Sequence, residues 1–221
     1  MISLENYLQN PCSSSSIPYW KAKTISVPDN MKIVHERDFS AELLKEYEDE
    51  TYFRLYNPMK KLTEPDLEGY KIVTASLEDI ETIVSVINSS YTDLQVNKEQ
   101  IQSYTKTLVY CPELWILIKE SATENCVGCG IADFDPEAEE LILEWIQVLP
   151  EYREKNIGTA IVKELLWRGR EYAKFATVSG KVENKTKPEV LYRKCGFTGN
   201  DVWHVLRKKV IRHYFRRIHR L

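Results

Sequence analysis

The sequence lacks most of the features that would mark a membrane, exported or nucleic-acid-binding protein. No apolar run approaches the length of a membrane-spanning helix, and the first residues show no basic-then-apolar leader. Net charge is only −3, too little for bulk electrostatics to point to nucleic acid. Five cysteines stand at 12, 111, 126, 129 and 195, and only Cys126 and Cys129 form a C-x-x-C. There is no second pair and no nearby histidine, so no metal site is expected, and a reducing, cytoplasmic setting fits. Within a strand the two cysteines are expected to point to opposite faces. No G-K-S or G-K-T follows any glycine-rich turn, which excludes the Walker pattern.

What is present suits one sizeable core: 221 residues, 43% hydrophobic and 11% aromatic. Charge is unevenly spread. Residues 1–69 carry 8 basic and 12 acidic side chains, and residues 207–221 carry 7 basic and none acidic. Residues 1–30, with four consecutive serines and three prolines, read as an irregular arm. MKIVHE reads as a short strand, and residues 40–57 as a helix with Ser40 as N-cap and Leu43, Leu44 and Tyr47 on one face. The segment 57–69, rich in proline, reads as a linker. These divisions give an arm over 1–69 packing on the main domain, a main domain over 70–210, and a basic amphipathic tail over 211–221.

After the linker the pattern is regular. YKIVTA is a strand; Ser76 with Asp79 forms a capping box that opens a helix through Ile83, Val84 and Ile87. A second helix is expected over 97–107. ELWILIKE, NCVGCGIADFD and ELILEWIQVL follow as three strands at hairpin spacing. A helix over 157–173, the strand AKFATVSGKV, the short helix KPEVLYRKC and the strand DVWHVLRKKV complete an α/β (α+β) order.

Between the third of those hairpin strands and the next helix lies LPEYREKNIGTAIV, 149–162. A tight turn into a helix N-terminus exposes backbone N–H groups where the macrodipole adds positive potential, which suits a diphosphate. Gly158 has no bulky β-substituent, and Asn156 tolerates positive φ better than other non-glycine residues. Arg153 and Lys155 add charge. An ordinary strand-to-helix loop with a packing glycine is the plainer alternative. Glu144 stands two residues before Ile146 and, by period 2, shares a face with Ile146 and Val148. Between apolar Leu143 and Trp145 its carboxyl could have its pKa raised, which makes it a candidate base. His204 reads as a structural histidine and Cys195 as a buried thiol. Val210, Ile211, Tyr214, Phe215, Ile218 and Leu221 form one apolar stripe in the tail, suited to covering the domain, to a homodimer contact or, less commonly, to an acidic partner or anionic membrane.

Arg153-Glu154-Lys155-Asn156-Ile157-Gly158 resembles the acetyl-CoA loop of the GNAT superfamily of N-acetyltransferases, R/Q-x-x-G-x-G/A, with asparagine in place of the first glycine. LYRKCGF at 191–197 is similar to the family's second signature, L-Y-x-x-x-G-F. The resemblance covers about residues 70–210. It implies a mixed, mostly antiparallel central sheet flanked by helices. It also implies acetyl-CoA as acyl donor, no metal, and direct attack by the amine of a small-molecule or peptide acceptor. Ile146, Gln147 and Val148 would meet the pantetheine arm, with the Ile146 N–H near the thioester oxygen. Arg153, Glu154, Lys155, Asn156, Ile157, Gly158 and Thr159 would hold the diphosphate. Asn184 would hydrogen-bond the pantetheine, and Tyr192 would protonate the leaving thiolate. Outside the resemblance, residues 1–69 are read as a cap on the acceptor side. A module that binds acyl-CoA without turnover is the alternative. Neither nucleic acid nor membrane is an expected partner.

Overall fold

A computed structural model describes residues 2–91 and 94–209. The stripe expected over 210–221 lies outside the described residues. Among the described residues eight strands form one sheet in the order β1-β8-β2-β7-β6-β5-β4-β3. They are β1 (Met31–His35), β2 (Tyr47–Asn57), β3 (Tyr70–Thr74), β4 (Trp115–Glu120), β5 (Cys126–Asp135), β6 (Glu140–Val148), β7 (Phe175–Lys181) and β8 (Thr198–Lys208). Every pairing is antiparallel except β6 with β7. The mixed, mostly antiparallel sheet expected from the resemblance is therefore present.

Helices α6 (Ile157–Gly169) and α7 (Pro188–Lys194) cover one face. Ile157, Ile161, Val162, Leu165 and Leu166 of α6 pack there on Phe53, Leu55, Leu141, Leu143 and Val178 of the sheet. The other face is shared. Helices α4 (Ile80–Ser90) and α5 (Lys98–Tyr104) cover the β3–β5 half through Ile83, Ile87 and Ile101 against Trp115, Leu117, Cys129 and Ile131. The capping box at Ser76 and Asp79 forms as expected, at the head of the short turn leading into α4.

The first 57 residues depart most from expectation. Residues 1–30 are not an irregular arm: they hold α1 (Leu4–Gln9), α2 (Pro11–Ser14) and α3 (Tyr19–Thr24). Tyr7 and Tyr19 from this segment are buried with Ala138 and Phe175 on the second sheet face. The helix expected over 40–57 is a single 3₁₀ turn, Ala41–Lys45, capped by Ser40 as expected, and then an 11-residue strand. That strand, β2, lies in the interior of the sheet between β7 and β8. Its partners on both edges complete its backbone hydrogen bonds, and this outweighs the helical spacing of Leu43, Leu44 and Tyr47. No gap in the sheet coincides with the expected boundary at 69.

A buried polar cluster ties this segment to the sheet. Arg54 of β2 is 1% exposed and Glu140 of β6 is 0% exposed, with Nη2 to Oε1 at 3.2 Å. The Tyr7 hydroxyl donates to Glu140 at 2.9 Å and accepts from Arg54 at 2.8 Å. Thr177 of β7 donates to Glu140 at 2.5 Å, and Ser179 accepts from Arg54 at 3.2 Å. Burial pushes the Glu140 carboxyl up, while Arg54, Thr177 and Tyr7 draw it back. The guanidinium keeps its proton at any accessible pH, so charge balances only with Glu140 ionised.

No helix among the described residues is long and apolar enough to cross a membrane. Arg54→Leu strands a buried carboxylate and is expected to lower folding stability by about 3–5 kcal/mol; Arg54→Leu with Glu140→Leu should regain most of it. Urea denaturation of the two variants checks this.

Candidate active site

Strands β6 and β7 pair in parallel from Glu140↔Phe175 to Leu143↔Val178 and no further. Beyond that level β6 continues with β5, and β7 continues with β2. The sheet thus opens a wedge between Trp145–Val148 on one side and Ser179–Lys181 on the other. The α6 N-terminus and Tyr192 of α7 lie on one face of this wedge, and Tyr91 at the end of α4 lies on the other.

The loop entering α6 is shaped by Asn156. Its backbone is left-handed, φ 60° and ψ 5°, and its side chain makes no cap on the helix. Glu154 is also left-handed, φ 65°. Gly158 is not among the residues with positive φ; a Cβ there would lie 3.3 Å from Leu191 and 3.9 Å from Val148. The conformational demand therefore falls on Asn156, and Gly158 answers a packing demand. The first-turn N–H groups of Ile157, Gly158 and Thr159 have no acceptor one turn back. Arg153 points elsewhere than expected. Its Nε donates to the Val148 carbonyl at 3.3 Å and its Nη2 to the Ser90 carbonyl at 3.0 Å, clamping the end of β6 to the end of α4. The Lys155 ammonium lies 4.7 Å from the centre of the Tyr152 ring.

Tyr192 sits beside Phe53, centroids 6.2 Å apart, and Phe53 covers Gly180, where a Cβ would come within 2.5 Å of the ring. Tyr192 is therefore level with the open part of the wedge. Burial pushes its phenol well above the ordinary value, and Tyr91 and Cys195 add to the rise. Gln147 donates to the Tyr91 hydroxyl at 3.0 Å, and Trp145 meets the Tyr91 ring edge-on at 6.4 Å. Asn184 serves the turn after β7: its Oδ1 accepts from the Thr186 N–H at 2.9 Å and hydroxyl at 2.8 Å.

Glu144 does not share a face with Ile146 and Val148. The β5–β6 register passes from Ile131↔Trp145 to Ala132↔Leu143, so Glu144 is the extra residue of a β-bulge. Leu143, Ile146 and Val148 all pack on the α6 side, and Trp145 packs under α4. The bulge shifts the phase by one and turns Glu144 to the α4 side. There it meets Lys21 of α3, Nζ to Oε1 at 2.5 Å, both side chains 25% exposed. Sequence spacing did not single out Lys21 or its neighbour Asp133. A second bulge, between Ile118 and Lys119, likewise overturns the expected placement of Cys126 and Cys129, which both pack in the cluster under α4. Among the described residues no group of three or more metal-ligating side chains occurs.

His204 is structural. It is 5% exposed and stacked on Phe39 at 3.7 Å, with Asp49 and Glu36 each 2.7 Å from a ring nitrogen. Cys195 is 9% exposed, and burial pushes its thiol up to about 11. A groove of about 550 Å³ runs along α4 past Leu149 and Pro150, but Glu81 and Glu151 line it, a poor match for an anion.

Asn156→Val is expected to cost about 1–2 kcal/mol of stability, and Asn156→Gly nothing, because a β-branched residue resists the left-handed region. Thermal denaturation of the pair checks this.

Residues 112–199 match the acetyltransferase (GNAT) domain family. No curated protein matches the chain. Among solved structures, a GCN5-related N-acetyltransferase from Sphaerobacter thermophilus superposes with a TM-score of 0.66 at 19% identity, over 82% of this chain and 61% of its own. A GCN5-related N-acetyltransferase from Kribbella flavida gives 0.57 at 14%, over 81% and 68%. Ard1 from Thermoplasma volcanium gives 0.52 at 17%, over 64% and 99%. The chain thus spans less than two thirds of the length of the Sphaerobacter protein. Residues 112–199 thus carry a GNAT acetyltransferase domain, within a chain whose fold is similar to those of these three structures.

Proposed function

We propose that the chain is an N-acetyltransferase. It moves the acetyl group of acetyl-CoA to a primary amine by direct attack, with no covalent enzyme intermediate and no metal. The observation that carries this reading is the wedge between β6 and β7, with a left-handed Asn156 at the uncapped α6 N-terminus and Tyr192 level with its open part. Acetyl-CoA supplies an activated acyl carbon on a thiol leaving group. The residues fit such a guest: an uncapped helix start with small Gly158 suits a diphosphate, and open strand backbone suits an amide-bearing arm. Ile157, Gly158 and Thr159, with Arg153, Glu154, Lys155 and Asn156 shaping the loop, would hold the diphosphate. Ile146, Gln147, Val148 and Asn184 would align the pantetheine.

The chain's own groups then divide the chemistry. The Ile146 N–H stabilises the oxyanion as negative charge grows. Glu144, on the acceptor side, takes a proton from the amine. Tyr192 gives its proton to the departing sulfur. Its raised phenol keeps that proton across the neutral and mildly alkaline range. Residues 70–210 would form the transferase unit, with residues 1–69 serving its acceptor side. Five free cysteines fit a reducing compartment, and we place the protein in the cytoplasm.

Tyr192→Phe is expected to lower kcat by roughly 10²–10⁴ while CoA affinity stays within a few-fold, since a general acid acts mainly in the transition state. Thiol release from acetyl-CoA with an amine panel measures the first, and calorimetry with CoA the second. Because the folded phenol is raised, the wild-type rate should show no loss attributable to Tyr192 near the ordinary value of about 10. An unchanged rate in Tyr192→Phe would remove the residue from the mechanism, and no turnover with any amine would leave a CoA-binding module.

A further inference from the structure

The bulge at Glu144 has placed two carboxyl groups together on the acceptor face. Asp133 of β5 is 6% exposed, and its carboxyl forms no hydrogen bond or ion pair among the described residues. The charges that act on it are those of Glu144 and Lys21; burial and Glu144 push its carboxyl up to about 8, and Lys21 draws it back. One cation serves both carboxyls, the Lys21 ammonium on Glu144 at 2.5 Å.

That cation arrives on a six-residue helix whose seating is imperfect. Lys23 pairs with Glu137 at the far side of α3, and Tyr19 donates to the same carboxylate at 3.3 Å. Between them, the Trp20 indole N–H is buried with no acceptor. A buried orphan donor is destabilising, so this contact stands below the stability of a fully satisfied one. The Lys21–Glu144 bridge itself is only partly buried and contributes little beyond its geometry.

We propose that Asp133 and Glu144 form a subsite for the ammonium group of an alkylamine acceptor, and that Lys21 is its resident cation in the free protein. This rests on the acetyl-transfer reading of the adjoining wedge. An incoming alkylammonium matches the Lys21 side chain in charge and in its methylene stem. On entering, it displaces Lys21 and hands one proton to the carboxyl pair, leaving the nitrogen lone pair free. Asp133, raised to about 8, already holds a proton at neutral pH, so Glu144 is the member of the pair that receives the amine's. The same pair repels an amine that carries a carboxylate on the adjacent carbon, so free α-amino acids are disfavoured and a simple alkylammonium or a lysine-like side chain is favoured.

The test is titration of wild type, Lys21→Met, Lys21→Arg, and Lys21→Met combined with Asp133→Asn or Glu144→Gln. The probe is n-butylammonium chloride, followed by NMR of the Trp145 indole, with n-butanol as the uncharged control. Lys21→Met is expected to bind the cation at least fivefold more tightly than wild type, Lys21→Arg to bind like wild type, and each double variant to lose at least tenfold relative to Lys21→Met. n-Butanol should not bind. If Lys21→Met binds no more tightly than wild type, or either double variant keeps its affinity, the subsite is refuted. Calorimetry with CoA on Lys21→Met separates the two ideas. Loss of CoA binding with intact cation arms overturns the transferase reading alone, and normal CoA binding with failed cation arms overturns the subsite alone.

Discussion

The Arg54–Glu140 pair is the contact on which the placement of the N-terminal segment depends. It joins β2 to β6 across the intervening β7, and the Tyr7 hydroxyl brings α1 into the same cluster. Removing either charge leaves the other in an apolar layer, where the penalty exceeds what any surface contact in this segment offers. Replacing both by apolar groups is a different matter, because much of the pair's Coulomb energy only offsets its own desolvation. Its value is therefore geometric. With Tyr7 fixed, α2 and α3 follow within a few residues, and Lys21 reaches the bulge on β6.

Strand β6 performs two tasks with one irregularity. Up to Leu143 it pairs with β7 and closes the sheet; after it, the extra residue Glu144 breaks the alternation and the strands part. An extra residue increases local twist and leaves a carbon-to-carbon register that the neighbouring strand cannot follow. The same step sends a carboxylate to the face opposite α6 while Ile146 and Val148 stay on the α6 side. The proposed acceptor-side Glu144 and donor-side Ile146 would thus stand two residues apart and face opposite ways.

From residue 70 onwards the fold was legible because its signals are local. The capping box at Ser76, the hairpin spacing of three strands and the helical spacing of Ile157, Ile161 and Leu165 need no tertiary information. Asn156 was legible for the same reason: asparagine before a helix start is a cheap way to a left-handed residue. The segment 47–57 was not, since a charged run beside Leu43 and Leu44 reads as a helix, and only its two strand partners settle the matter. TYFRLY, with three aromatic residues in six, held the missed signal. The faces of Glu144 and of Cys126 were misread because period 2 assumes an unbroken strand. Lys21 and Glu144 meet across more than a hundred residues of chain, and no spacing rule reaches that far.

The order of strands also dictates the order in which the sheet is completed. β2 ends at Asn57, yet its partners β7 and β8 begin only at Phe175 and Thr198. During synthesis β2 therefore waits, with both edges unpaired, until β7 and β8 have emerged more than a hundred residues later. Such non-local pairing closes late and slowly, and unpaired strand edges invite association with other chains in the interval. The acidic run KEYEDE at 45–50, which begins just ahead of β2 and runs into it, gives that waiting strand a net negative charge and so keeps copies of it apart.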